Sequence, residues 1–290
     1  MTPGEESPAS FGLEAGPGIT RRFSHEAMAS VWEVHCVHDD PVYARQAAHA
    51  AFGLLDRLEQ EQSRFIANSD VSRVGELAAG ESTRVSPSTL ECLGIARHLY
   101  ELTGRCFDVT LGAGWERLEL LPESFTVRAL ESGSRLDLGG IGKGFAVDRM
   151  AELLLDWDVP RALVHGGFSS VRALEPPPDR AGWPLRLTAP GTGDVLARVD
   201  ARQQAFGASG LRKGEHIHDP RTGLPVRERR AAWVAVDARG AVREGHSPAA
   251  VADALSTAFM ILPREAVAEL EARHPELRAW LVPEPGCASA

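Results

Sequence analysis

Apolar residues recur along this chain with two different periods. From Val31 to Val37 the run V-W-E-V-H-C-V alternates as a half-buried strand does. Past Asp40-Pro41, a good helix start, the spacing lengthens. Ala47, Ala51, Leu54, Leu55 and Leu58 form one helical stripe up to about Ser63. Residues 65–80 are polar and irregular. Ser86-Pro87 opens a second helix, with Leu90, Leu93, Ala96 and Tyr100 on one face and Gly104 as its stop. Cys106 to Thr110 reads as a short extended segment. A third helix presents Val147, Met150, Ala151 and Leu154 on one face, with Asp148, Arg149 and Asp156 elsewhere.

The second half repeats the mixture. Arg161 to His165 reads as a buried strand ending in Gly166-Gly167, and Pro176-Pro177-Pro178 marks a surface loop. Strand-like runs follow at Leu185 to Thr188, Val195 to Val199 and Trp233 to Val236, with turn chemistry from His216 to Gly223 before the last. Ser247-Pro248 starts a helix to about Ile261, Pro263 another through Ala272, and Arg278 to Val282 a final strand. Helices and strands mix without strict βα alternation, repeat or linker. This predicts an α+β (mixed α/β) fold in a single domain over residues 23–284, with a disordered leader at 1–22 and a frayed tail at 285–290.

Composition narrows the partners. An apolar share of 43% and a charged share of 24% over 290 residues suit a soluble globular protein. A formal net charge of −9 argues against nucleic acid or an anionic membrane as main partner, so any polyanionic ligand must be met by local positive charge. Cys36, Cys92, Cys106 and Cys287 form no C-x-x-C pair and read as free thiols of a reducing compartment. There is no apolar run of signal-peptide or membrane-spanning length and no lipid-attachment Cys, so the expectation is a cytoplasmic protein.

Candidate chemistry concentrates in residues 136–148. Gly139, Gly140, Gly142 and Gly144 surround Lys143 just where a helix begins, an arrangement whose natural guest is phosphate. It is not a Walker A loop, since Gly144 follows the Lys, nor a dinucleotide fingerprint, since Phe145 takes the third glycine's place. A plain helix-start turn is the alternative. Asp253 and Thr257, at i and i+4, project from one helix face; they suit a hard cation such as Mg²⁺, or else a solvated Asp and a back-bonded Thr. His216 and His218 share a strand face and, with Asp219, could ligate a transition metal. A histidine there could equally be a general base or a strand-end polar residue. Lys143 and Arg221 are candidate phosphate partners.

These segments, in this order, resemble the ApbE family of FAD:protein FMN transferases. Met28-Ala29-Ser30 is similar to the family's Met-Gly-Thr. Ser63-Arg64-Phe65 and the run from Ser69 to Gly75 match its SxY…SELSRLN segment, and Thr103 to Thr110 its TGGAFDxT. Asp137 to Asp148 follows DLGGIAKGYAVD with two small changes, Gly166-Gly167 its GG, His216 to Gly223 its HIxDPRTG, and Asp253 to Ala258 its DALSTA. The resemblance implies an ApbE-like fold with mixed sheets flanked by helices. It implies transfer of FMN from FAD to a Thr hydroxyl of a flavoprotein bearing a Ser/Thr-Gly-Ala-Thr site, with Mg²⁺ as cofactor and AMP released. By position, Met28, Phe65, Cys106, Phe107, Asp108, Asp137, Lys143, Gly166, Gly167 and Ile217 would line the FAD site. The Gly140 carbonyl, Asp253 and Thr257 would hold Mg²⁺, and His216 would be the base. Gly75, Val164 and Phe168 depart from the pattern. An FAD pyrophosphatase and a non-catalytic flavin carrier are the alternatives.

Overall fold

The computed structural model describes residues 12–13, 20–189, 193–211, 217–227, 229–240 and 247–283. In chain order these form β1 (Gly12–Leu13), β2 (Thr20–Ala27), β3 (Ser30–Val37), α1 (Pro41–Gln62), α2 (Asp70–Gly75), β4 (Ser82–Arg84), α3 (Pro87–Leu102), β5 (Leu118–Leu121), β6 (Thr126–Ala129) and α4 (Gly142–Asp156). There follow β7 (Ala162–Gly166), β8 (Ser170–Ala173), β9 (Trp183–Thr188), β10 (Val195–Ala201), β11 (Gln204–Gly210), β12 (Arg229–Asp237), α5 (Pro248–Ala258), α6 (Arg264–Arg273) and β13 (Leu277–Pro283).

The helix starts follow from side-chain chemistry. Asp40 Oδ1 accepts the Val42 and Tyr43 N–H groups at the head of α1, and Ser86 Oγ accepts that of Thr89 at the head of α3. Seven strands pair antiparallel in the order β13-β12-β11-β8-β7-β3-β2. Alternation then sorts the side chains. Trp32, Val34 and Cys36 of β3, with Val234 and Val236 of β12, join one core with α1, α4 and α5. Leu163, Phe206, Trp233 and Ala235 point the other way, onto Trp183, Leu185 and Leu187 of a small β1-β9-β10 sheet. The result is three layers: helices, central sheet, small sheet. A third sheet, β4-β6-β5, packs beside α2. This is the mixed α/β fold expected from the sequence.

Some expectations change. β2 begins at Thr20, inside the expected leader, and pairs residue for residue with β3, while Gly12 and Leu13 pair with β9. As an edge strand rich in polar residues, β2 carries little alternation to read. The 65–80 stretch contains α2, capped by Ser69 Oγ accepting from Ser72 N, which is too short to show a period. Cys106 to Thr110 is a succession of turns rather than a strand. Thr103 Oγ1 accepts the Phe107 N–H, and Asp108 Oδ1 that of Thr110, so those peptide groups are closed locally. The expected tail lies outside the described residues. Among the described residues no helix is long and apolar enough to cross a membrane.

Candidate active site

The head of α4 runs close against α5. A Cβ on Gly144 would overlap the Ala249 carbonyl and come 2.7 Å from Asp253 Cβ, so only glycine allows the crossing. At that contact Asp253 is 2% exposed, and its Oδ2 accepts the Gly144 N–H at 2.9 Å. Lys143 Nζ stands 3.8 Å from the same oxygen. The α4 N-cap, Ile141, offers no side-chain acceptor, so the Asp253 carboxylate occupies the positive end of the helix dipole. Burial pushes the Asp253 pKa above the usual carboxylate range, while Lys143, the Gly144 N–H and the Ser170 hydroxyl pull it back.

The reading of the glycine stretch as a phosphate cradle needs correction here. Gly139 N donates to Asp137 Oδ1 at 2.8 Å, Ile141 N and Gly142 N donate to Leu138 O at 3.0 and 2.7 Å, and Gly144 N serves Asp253. These four donors are used inside the protein. The loop offers oxygens and a carboxylate instead. A Cβ on Gly140 would lie 3.4 Å from Thr257 Oγ1 and 3.2 Å from the Phe107 ring, so Gly140 and Thr257 face one another. Thr257 Oγ1 is held by Ser209 Oγ at 2.9 Å, and Ser209 also meets Ser256 Oγ at 2.8 Å. A buried carboxylate beside a hydroxyl and a backbone turn is a hard-oxygen donor set, which fits Mg²⁺.

The remaining candidates gather around this centre. On one side, Met28 and Ala29 make the left-handed turn between β2 and β3, with φ 49 and 52°. Gly167, at φ 58°, donates to Val31 O at 3.0 Å, and a Cβ on it would lie 3.7 Å from Lys143 Cδ. Gly166 has no room for a side chain against the Trp32 ring. On the other side, Asp137 N donates to Val109 O, and Asp137 Oδ2 meets Arg64 Nε at 3.2 Å. The Arg64 guanidinium lies over the exposed Phe65 ring, 4.6 Å from its centroid. Asp108 accepts from Thr110 Oγ1 at 2.6 Å and Gly112 N at 3.0 Å. A Cβ on Gly112 would lie 2.7 Å from Pro220 O, which places the 217–223 turn beside this loop.

Cys106, Phe107 and Ile217 are buried, so their side chains back the site rather than open into it. Ile217 O accepts from Val226 N. Arg221 grips Asp219 through two nitrogens, Nε to Oδ1 at 2.9 Å and Nη2 to Oδ2 at 2.7 Å, which holds the Asp219 pKa low and ties up both groups. His218 is exposed and bridges to Pro225. His216 lies outside the described residues. One contributor was not foreseen. Asp148, read as off the apolar face of α4, is buried, and its Oδ2 accepts the Ala249 and Ala250 N–H groups at 2.8 and 2.9 Å, holding the helix that carries Asp253 and Thr257. Its polarity showed in the sequence; the helix end it meets lies about a hundred residues on.

A model described as the ApbE family matches residues 28–118 and 112–281. The chain belongs to the ApbE family. Two relatives named FAD:protein FMN transferase are similar to it. The one from Vibrio cholerae is 26% identical over 262 residues, 74% of either chain; that from Treponema pallidum is 28% identical over 246 residues, 64% of this chain and 67% of its own. Among solved structures, the ApbE protein of Thermotoga maritima superposes with a TM-score of 0.79 at 22% identity, over 92% of this chain and 95% of that one. The apo flavinyl transferase ApbE of Pseudomonas stutzeri gives 0.77 at 23% identity, over 92% of each. At such identities the structures establish a shared ApbE fold.

Proposed function

We propose that this ApbE-family chain is an Mg²⁺-dependent FAD:protein FMN transferase, attaching FMN through a phosphoester bond to a Thr hydroxyl of a flavoprotein with a Ser/Thr-Gly-Ala-Thr site and releasing AMP. The observation that carries the reading is Asp253, buried at the head of α4 with Lys143, Gly140 and Thr257 around it. The Gly140 carbonyl, Asp253 and Thr257 would hold Mg²⁺, which when bound supplies positive charge against the diphosphate. Lys143, whose Nζ lies 3.8 Å from Asp253 Oδ2, would steady a diphosphate oxygen. Phe107 closes the wall behind Gly140, and the Gly166-Gly167 turn, packed on Trp32 and Ser30, would border the flavin dinucleotide beside Lys143. His216 takes the proton of the acceptor Thr hydroxyl. The Thr oxygen then bonds to the flavin-side phosphorus, the bridging P–O bond breaks, and AMP leaves with the electron pair.

The test is incubation with FAD, Mg²⁺ and an acceptor bearing that site. The expected result is an acceptor mass increased by FMN, with AMP released. His216→Ala should keep FAD binding and abolish transfer, and Asp253→Ala should need far more Mg²⁺. Free FMN and AMP without labelled acceptor would make the protein a pyrophosphatase, and intact FAD would make it a carrier; either overturns the proposal.

A further inference from the structure

On the face of the central sheet away from the helices, β3 and β7 bring together three side chains the flavin site does not use. Glu33 and His165 sit directly opposite one another in the register, and His35 lies two residues beyond Glu33 on the same face. All three are buried, at 6–7% exposure. Glu33 Oε2 lies 2.8 Å from His35 Nε2 and 3.0 Å from His165 Nε2, and one ligand atom from each residue lies within 4.8 Å of the other two. The Arg22 guanidinium, largely in solvent, pairs with the other oxygen, Glu33 Oε1. The two rings stack 6.0 Å apart, and Phe168 leans on His165 at 5.7 Å.

We infer that Glu33, His35 and His165 form a binding site for a borderline divalent transition metal of the Zn²⁺ class, pinning β3 to β7. Two neutral imidazoles and one carboxylate are the donor set such ions prefer, and two nitrogens disfavour Mg²⁺ or Ca²⁺. Burial depresses the His35 pKa, which favours the neutral, ligating form. Tetrahedral bonds of about 2.0–2.1 Å put ligand atoms roughly 3.3 Å apart. The two separations from Glu33 Oε2, 2.8 and 3.0 Å, need to widen by up to about half an ångström as the ion replaces the protons now shared in the two hydrogen bonds. The two imidazole nitrogens, which lie within 4.8 Å of each other, need to come to the same spacing. His165 Nδ1 is buried and has no hydrogen-bond partner. A metal-bound ring normally donates from that nitrogen, and lacking such an acceptor costs roughly 10- to 100-fold in affinity. The site therefore binds more weakly than a fully buttressed one. Arg22 opposes the ion by neutralising its carboxylate ligand.

The full chain, stripped with a chelator and kept in excess Mg²⁺, should be titrated with Co²⁺ and followed by d–d absorption, then challenged with Zn²⁺. One equivalent of Co²⁺ with nitrogen-ligand bands, displaced by Zn²⁺, is expected. His35→Gln and His165→Gln should each weaken it by at least about tenfold, with folding checked by circular dichroism. Arg22→Met, a change on an exposed side chain, should tighten it. Absence of binding at sub-millimolar Co²⁺, or Co²⁺ binding that none of the three substitutions changes, overturns the inference.

Discussion

Replacing Asp148 tests how the site is held without touching any group proposed to meet substrate. Its Oδ2 accepts two N–H groups from the first turn of α5, at 2.8 and 2.9 Å, and its Oδ1 lies 3.7 Å from Arg172 Nε. In Asp148→Ala both donors and a mostly buried guanidinium lose their partner. Each stranded buried donor costs about 1–3 kcal/mol, and removing one member of a buried ion pair about 3–5 kcal/mol. These overlap, so we expect a loss of about 3–5 kcal/mol by urea denaturation, a large share of the 5–15 kcal/mol typical of a folded protein. Asp148→Asn keeps an acceptor and should cost about 1–2 kcal/mol. Burial pushes the Asp148 carboxyl up to about 7, against the pull of Arg172 and the Ala250 N–H. The native state then holds this proton more tightly than the unfolded chain. Between about pH 4 and 7 stability falls as pH rises, by at most ~1.4 kcal/mol per unit. His35, depressed by burial, acts in the opposite sense as pH rises through its unfolded pKa of about 6.5, so the difference between wild type and Asp148→Asn is the quantity to measure. That difference should fall by about 1 kcal/mol per unit from pH 5 to 7. A difference that stays flat would show that Asp148 is ionised throughout and refute the argument.

Two further substitutions probe the same crossing. Gly144→Ala gains helix propensity of up to ~1 kcal/mol but drives a methyl into the Ala249 carbonyl. We expect a net loss of about 1–3 kcal/mol in thermal unfolding together with a raised Mg²⁺ requirement. Ser209→Ala removes the hydroxyl that holds Thr257 and Ser256, and should cost about 1 kcal/mol while FAD binding persists and half-maximal Mg²⁺ rises.

What could be read in advance was whatever neighbours in sequence decide. The starts of α1 and α3 are local chemistry, a carboxylate or hydroxyl closing N–H groups two or three residues away, and both stood where Asp40-Pro41 and Ser86-Pro87 placed them. β8 and β11 escaped because burial between two layers removes alternation. In β11 a Cβ on Gly207 would overlap the Ala252 carbonyl of α5, so the strand needs a residue that signals no strand at all. Glu33, His35 and His165 lay in recognised strands, but which strand adjoins which is a property of topology, and their meeting could not be seen from spacing.

The glycine stretch shows the same limit in chemical terms, and charge decides what it is for. As composition it suggested a phosphate loop, yet Gly139, Gly142 and Gly144 N–H groups serve Asp137, Leu138 and Asp253. Around them the described residues include four carboxylates, Asp108, Asp137, Asp219 and Asp253, against Arg64, Lys143 and Arg221. Two of those cations are already paired, Arg64 with Asp137 and Arg221 with Asp219. A diphosphate entering this basin would meet repulsion from Asp253, eased among these described cations by Lys143. On the proposed reading, a divalent ion on Asp253 and Thr257 would correct this imbalance, and the carboxylate that repels a diphosphate would then hold its counter-charge. By this reasoning Asp253→Asn should raise half-maximal Mg²⁺ and lower activity while making metal-free FAD binding tighter, as read by fluorescence titration in EDTA. Looser metal-free binding would mean that Asp253 shapes the pocket rather than setting its charge.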